Sequence, residues 1–442
     1  MTARLERMVA ETQARARIPA LSAALHRADR PMWKHAAGVG ATPEAAFRIG
    51  SVTKTFTAVL VMQCRDDGLL DLDDPIGRHL EVPRHGEITV RRLLSHTAGL
   101  QREPFGDVWD SLVAPSAETL VADLDRIERV LPPARRYHYS NLAVSLLGLA
   151  VGRLRGGAWA EVLADRILTP LGLADTSPDR PATAATGYLV DAYSDHARVE
   201  PPTDFGAVGP AGQLWSTAAD MARWAAFLAD PGDNPVLSAS TVEEMRWPLT
   251  TTQEAHWAAG FGLGLLLIPQ GDRVTHVGHD GAMPGFLAAV YGRPGTPKAM
   301  GCAVLGSSGT AVEMLELPHR LIAASVEDDP ADVEPWAPGP AAPPEFRGAL
   351  GRWWGEGFEY VFSWHDGALR ARGAGDPPGL APAVFAPTEQ PDVLRTASGR
   401  EAGELLRLTR DGAGAVVRMH WATYRFTRVQ ETFDGVPASD PG

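Results

Sequence analysis

The sequence predicts an α/β protein whose first domain builds one sheet from both of its ends and is followed by a small all-β domain. Three observations point there. Strand-like runs near the N-terminus and again at about 262–305 bracket a block, about 70–206, of helical patterns punctuated by prolines. Six prolines fall between Asp328 and Pro344, the composition of a stiff linker. Beyond it, short strand-like runs alternate with turn residues. At 442 residues the chain has length for two cores.

Taken in order, residues 2–16 read as a helix, and Ala20 to Leu25 followed by Trp33 to Val39 reads as a hairpin around Asp29, Arg30 and Pro31. A helix from Ser51 to Asp66 places Phe56, Val59, Leu60 and Gln63 at helical spacing and ends near Gly68. The following block carries helical patterns at Ala117 to Val130, Asn141 to Arg155 and Trp159 to Leu171, which predicts an all-helical insertion. A further helix spans about Thr217 to Ala229, capped by Ser216 or Thr217. Strands are expected at Gly262 to Ile268, Arg273 to Gly278, Gly285 to Tyr291 and Ala299 to Leu305, then a helix over Ala311 to Val326. The first domain therefore covers 1–328, the linker 329–344, the second domain 345–430 and a tail 431–442. In the second domain, Tyr360 to Trp364, Ala368 to Arg372, Val393 to Thr396, Leu405 to Thr409, Ala415 to His420 and Tyr424 to Val429 predict a small antiparallel barrel or sandwich.

Composition narrows the function classes. The formal net charge of -13 repels polyphosphate and anionic membrane surfaces, so a small-molecule or peptide substrate is favoured over nucleic acid or membrane. Two distant cysteines, Cys64 and Cys302, make no metal or dithiol motif and read as buried free thiols. Among 13 histidines there is no H-E-x-x-H, and Gly260, Gly262 and Gly264 do not form a dinucleotide loop, so no metal or cofactor is expected. No G-x-S-x-G elbow occurs, which excludes an α/β-hydrolase. Residues 1–17 lack the apolar core of a signal peptide, and the longest apolar runs fall short of a membrane span, so a soluble cytoplasmic protein is expected.

The strongest chemical signal is Ser51-Val52-Thr53-Lys54 at a helix start, in a chain with only three lysines, Lys34, Lys54 and Lys298. Residues three apart share a helix face, so the amine can reach the hydroxyl. A serine becomes a nucleophile when a base takes its proton, and a desolvated lysine is such a base. The helix N-terminus adds free N–H groups where an oxyanion would form. Taken alone, the pattern also fits a serine cap with a surface lysine. Tyr139-Ser140-Asn141 and His279-Asp280-Gly281 follow downstream. A phenol titrates near pH 10 and acts as a base near neutrality only beside a cation such as Lys54. In isolation Tyr139 reads as a packed aromatic, Asn141 as a helix cap and His279 as a turn residue.

Together, in this order, the motifs resemble the serine β-lactamase and penicillin-binding-protein superfamily, in its class C and D-peptidase/esterase branch. The resemblance covers roughly residues 18–325. It includes Phe47-Arg48-Ile49-Gly50 before Ser51, Leu93-Leu94-Ser95-His96-Thr97-Ala98-Gly99-Leu100, Pro170-Leu171-Gly172-Leu173, Pro210-Ala211-Gly212, Ser216-Thr217-Ala218 and Gly278-His279-Asp280-Gly281. It implies an α/β/α sandwich with an antiparallel sheet, and a lipocalin-like barrel as the second domain. It also implies that Ser51 attacks, that Lys54 and Tyr139 share its proton, that Asn141 binds the substrate amide, and that the backbone N–H groups of Ser51 and Ala282 form the oxyanion hole. Gly212 and Gly281 would line the substrate. His279 stands where many members carry the lysine of Lys-Thr-Gly, and would be a weaker, titratable carboxylate anchor.

The appended barrel, the phrase Gln101-Arg102-Glu103-Pro104 and the missing leader resemble penicillin-binding-protein-type thioesterases, which release and cyclise nonribosomal peptides. That resemblance implies a peptide delivered as a thioester by a carrier-protein domain, with Arg425 facing its terminal carboxylate. The alternatives are an esterase or D-stereospecific peptidase in the same mechanistic class, and, in another class, an inactive binding or sensor protein on the same scaffold.

Overall fold

The computed structural model describes residues 2–133, 136–253, 257–271, 274–295, 299–329, 336–377 and 379–437. The chain divides into two compact units, 1–332 and 333–442. The expected linker 329–344 spans that division; its residues 330–335, like Arg273 and the tail residues 438–442, lie outside the described residues.

The first unit is built on eight strands: β1 (Ala20–Arg27), β2 (Arg30–Gly38), β3 (Thr250–Thr251), β4 (Gly260–Phe261), β5 (Leu266–Pro269), β6 (Thr275–Met283), β7 (Phe286–Arg293) and β8 (Met300–Gly306). Their order in the sheet is β2-β1-β8-β7-β6-β5-β4-β3, with every pair antiparallel. The N-terminal hairpin docks on the last strand, Leu21 opposite Gly306 and Leu25 opposite Cys302, so both ends of the unit supply one sheet. The single strand expected over 262–268 is instead two short ones around Gly264, whose φ of +76° turns the chain where a Cβ would stand 2.2 Å from Ala58 Cβ.

Alternation along β1 sends Leu21, Ala23 and Leu25 to one face and Ala24 to the other. The first face packs on helices α1 (Thr2–Arg15) and α5 (Leu317–Asp328) through Leu5, Val9, Leu321 and Ile322. The second carries the larger core, with α2 (Thr53–Asp66), α3 (Asn141–Arg155) and α4 (Ala218–Ala229). Helix α4 comes close because small residues meet there. A Cβ on Gly292 would lie 2.1 Å from Ala225 O, and one on Gly301 would lie 2.1 Å from Ala222 O.

The inserted block holds more than helices. Helix α3 has its expected bounds, with Ser140 Oγ accepting from the Ala143 N–H and Gly156 closing it at φ +73°. The Ala117 to Val130 pattern, however, gives only Ala117–Ala122 and a 3₁₀ turn to Arg126. Residues 127–131 leave the helix because they pair with 99–101: the Gln101 N–H donates to Glu128 O, and the Leu131 N–H to Gly99 O. A hairpin, Tyr188–Val190 with Ala197–Val199, also lies in this block.

The second unit is a closed eight-stranded barrel, sealed where Gly355 pairs with Phe426. Closure leaves no free edge. Trp353, Phe362, Phe385, Trp421 and Phe426 fill its core. Six of the strands match the expected runs, and Gly351–Gly355 and Ala383–Pro387 are additional. Both cysteines are buried free thiols. Among the described residues no helix is long and apolar enough to cross a membrane.

Because Gly301 lets α4 rest on β8 backbone to backbone, Gly301→Val should destabilise the first unit by about 1–3 kcal/mol. A fall in its thermal unfolding midpoint, with the buried aromatic signal of the barrel unchanged, is the expected result.

Candidate active site

Ser51 lies in a 3₁₀ turn, Gly50–Val52, that feeds directly into α2. The turn is seated on β6 with no room for side chains. Gly50 has φ +49° and a Cβ there would be 2.7 Å from Ala282 N; a Cβ on Gly281 would be 1.9 Å from Ile49 O and 3.3 Å from Ser51 N. This contact brings the peptide N–H groups of Ser51 and Ala282 to one edge, at the free end of a helix.

Lys54 follows one turn later, 2% exposed, with Nζ 2.9 Å from Ser51 Oγ and donating to Ala211 O at 2.6 Å. Tyr139 OH approaches the same Oγ at 2.6 Å, and Lys54 Nζ stands 4.8 Å from the centre of its ring. Lys54, one helical turn away, and Tyr139, far off in sequence, thus converge on the serine oxygen. The first residue of α3, Asn141, donates through Nδ2 to Glu103 Oε1 at 2.7 Å. The segment 101–103 is fixed against the α3 N-terminus, since Arg102 O accepts from the Asn141 N–H and Gln101 O from the Ser140 hydroxyl. Arg102 carries its guanidinium to 4.8 Å from the Tyr139 ring centre.

Burial sets the protonation states. Desolvation holds the Lys54 amine well below its ordinary value, with Glu103 opposing and Arg102 assisting. Desolvation raises the Tyr139 phenol, against the hydrogen bond to Ser51 and the charge of Arg102. Burial thus disfavours both the ammonium form of Lys54 and the phenolate form of Tyr139. Tyr139 stands ready to donate, rather than acting as a phenolate held beside a cation.

A cavity of about 360 Å³ opens over Ser51, and Asn141, Gly212 and Ala282 line it. Its apolar wall includes Trp109, Phe205 and Val208. Gly281 does not line it but forms the packed contact beneath the nucleophile turn. His279 lies on the same strand, 6% exposed, its ring 6.1 Å from that of Tyr139. Its Nδ1–H donates to the carbonyl of Asp280, and burial lowers its pKa to about 4. The expectation of a titratable carboxylate anchor is corrected accordingly: near neutrality this imidazole carries no charge, and one N–H is already committed. Arg425 belongs to the second unit, where its guanidinium donates to Thr432 O at 2.9 Å and faces Glu431 at 3.5 Å.

Sequence reasoning did not single out Glu103, Trp109 or Phe205 for the site. Arg102 and Glu103 stood in a noted phrase, but no spacing rule connects a loop carboxylate to an asparagine 38 residues later.

A family model described as Beta-lactamase matches residues 5–323, and a domain of unknown function (DUF7586) matches 342–428. Penicillin-binding protein 4 of Amycolatopsis lactamdurans is 32% identical over 309 residues, covering 65% of this chain and 78% of that protein. Beta-lactamase-like protein 2 of Dictyostelium discoideum is 30% identical over 234 residues, half of this chain but only 42% of that longer protein. Among solved structures, SurE superposes with a TM-score of 0.62 at 25% identity, along 97% of this chain and 99% of its own.

The lowered Lys54 pKa has a definite sign in a pH profile. The amine is an available base only above its own pKa, so kcat/KM should rise with pH through an ionisation well below the ordinary 10.5 and then hold level. Tyr139, raised, stays protonated across that range and adds no alkaline limb. Tyr139→Phe should cost a factor on the order of 10² and keep the acid limb; Lys54→Ala should lose turnover to a similar degree and lose the limb with it. Their double variant should lose little more, because both act on one proton.

Proposed function

The chain belongs to the beta-lactamase family, and on that premise we propose that it transfers acyl groups through an acyl-enzyme on Ser51. The observation that carries this is the convergence of Lys54 Nζ, at 2.9 Å, and Tyr139 OH, at 2.6 Å, on the Ser51 hydroxyl beneath an open cavity. Oγ attacks the carbonyl carbon while its proton passes to the neutral Lys54 amine. The oxyanion is held by the N–H groups of Ser51 and Ala282. Collapse expels the leaving group, which takes a proton through Tyr139, whose phenol is reprotonated from Lys54. A water or an amine then attacks the ester, and the same two groups run the steps in reverse.

For the natural acceptor we propose an intramolecular amine: head-to-tail macrolactamisation of a nonribosomal peptide, delivered in the cytoplasm as a thioester on a carrier-protein domain. The reading rests on the appended barrel and the phrase Gln101-Arg102-Glu103-Pro104, which resemble penicillin-binding-protein-type thioesterases. An amine tethered to the acyl group gains effective concentration over water once the peptide folds back on the ester. Hydrolysis of an ester or a D-aminoacyl amide is the second reading. Its support is the neutral proton-transfer pair, which activates a water as readily as an amine.

Incubation with an activated acyl ester or thioester should add the acyl mass to the peptide bearing Ser51, and Ser51→Ala should neither label nor turn over. Turnover surviving in Ser51→Ala would end the acyl-enzyme reading. A panel of linear peptidyl thioester mimics, varied in the configuration of both terminal residues, should yield mainly macrolactam by mass spectrometry, and Arg425→Ala should shift the product toward linear acid or slow acylation. Linear acid from every member, beside fast turnover of simple esters or D-aminoacyl amides, would replace cyclase by hydrolase.

A further inference from the structure

His96 lies outside the mechanism described above, yet its bonds bracket Tyr139 in sequence. It is 1% exposed and holds φ at +56°, a backbone conformation that side-chain-bearing residues rarely adopt. Its carbonyl accepts from the His138 N–H at 2.8 Å, and its ring Nδ1 accepts from the Ser140 N–H at 3.2 Å. One residue thus ties down the backbone N–H groups of both neighbours of the tyrosine, His138 and Ser140. Its imidazole also packs on Tyr139 itself, centroid to centroid 4.6 Å, and is boxed in by Phe261 at 4.9 Å and Tyr137 at 5.7 Å.

The hydrogen bond fixes the tautomer. An Nδ1 that accepts from a backbone N–H places the ring proton on Nε2. Burial, with Lys54 and His279 nearby, opposes a second proton that would break the contact. Tyr139 needs such a device because it comes from the extended segment before α3, not from within a helix or strand. Only the position of its hydroxyl 2.6 Å from Ser51 makes it useful, and a misplacement of about 1 Å can cost on the order of 10² in rate.

We propose that His96 is the positioning residue of Tyr139, holding the phenol over Ser51 by gripping the N–H groups of the residues on either side of it, His138 and Ser140. The proposal rests on the acyl-enzyme reading of the site. His96 touches neither the nucleophile nor the cavity and acts wholly through Tyr139.

The test separates the acceptor from backbone strain and from folding. His96→Gly keeps the positive φ without strain and keeps the carbonyl bond, but removes the ring and its acceptor. His96→Asn tolerates the same φ and returns an acceptor close to the Nδ1 position. On full-length protein with any ester substrate that turns over, His96→Gly should lower kcat by roughly 10- to 100-fold with KM little changed. His96→Asn should recover most of it. In a Tyr139→Phe background His96→Gly should have little further effect, because the group it positions is already gone. His96→Ala run through the same cycle decides the matter if the glycine variant does not fold. Equal losses in both backgrounds, or an asparagine variant as poor as glycine, would overturn the proposal. Activity persisting in Ser51→Ala would instead overturn the reading beneath it, so the two failures are distinguishable.

Discussion

The site depends on one constraint: the amine of Lys54 is kept away from water. Every residue of α2 from Thr53 to Cys64 is buried, so the helix that carries the nucleophile at its start runs through the middle of the larger core. Polar side chains on such a helix need partners inside the protein. Thr55 takes the Trp224 indole N–H at 2.8 Å, Thr57 donates to Pro210 O at 2.8 Å, and Lys54 donates to the next carbonyl along, Ala211 O. The 206–211 turn therefore serves as the acceptor rail for the helix. Its far end supplies Gly212 to the cavity wall, so the contact that satisfies α2 also shapes the place where a substrate would lie.

Dehydration of Lys54 shapes the chemistry around it. Desolvation disfavours a charged ammonium there, and the nearby groups feel whatever charge it carries. Burial raises the phenol even with the Arg102 guanidinium 4.8 Å from its ring centre. His279, on the adjacent strand, is neutral by its own burial and by what charge Lys54 does carry. Desolvation thereby favours the uncharged forms of Lys54, Tyr139 and His279 around the nucleophile. The peptide N–H groups of Ser51 and Ala282 meet where the nucleophile turn packs on β6.

Much of this was legible in the sequence, for reasons particular residues make clear. Ser51 and Lys54 are near neighbours on one helix, and helical periodicity places them together without tertiary information. Helix α3 was bounded correctly because Ser140 and Gly156 are strong caps at its two ends. The two-ended sheet followed from apolar runs before and after the insertion. Contacts made across the insertion were not legible. Residues 127–131 had the pattern of a continuing helix, but pairing with Gly99 and Gln101 overrode it. The barrel strand Gly351–Gly355 is flanked and ended by glycine, and Ala383–Pro387 has prolines at and before its ends, which hid both behind turn signals. The bond from Asn141 to Glu103 was invisible for the same reason as the lost helix, since it depends on where a loop comes to rest.

The site's charge is consequently displaced from where the motifs alone would put it. At the edge of β6 the sequence offers His279 and Asp280, one potential cation and one potential anion. The fold points Asp280 to the opposite face, where burial lifts its carboxyl to about 6 and the Tyr291 hydroxyl is its hydrogen-bond partner. It leaves His279 uncharged behind Tyr139. The edge itself is reduced to backbone N–H and carbonyl groups at Gly281 and Ala282. Formal charge on the described cavity wall comes instead from Arg102 and Glu200, on two loops of the insertion. Rigid backbone shared with the core thus forms one side of the cavity, and the charged side chains of its wall lie on loop segments of the insertion, the kind of element in which sequence varies most readily.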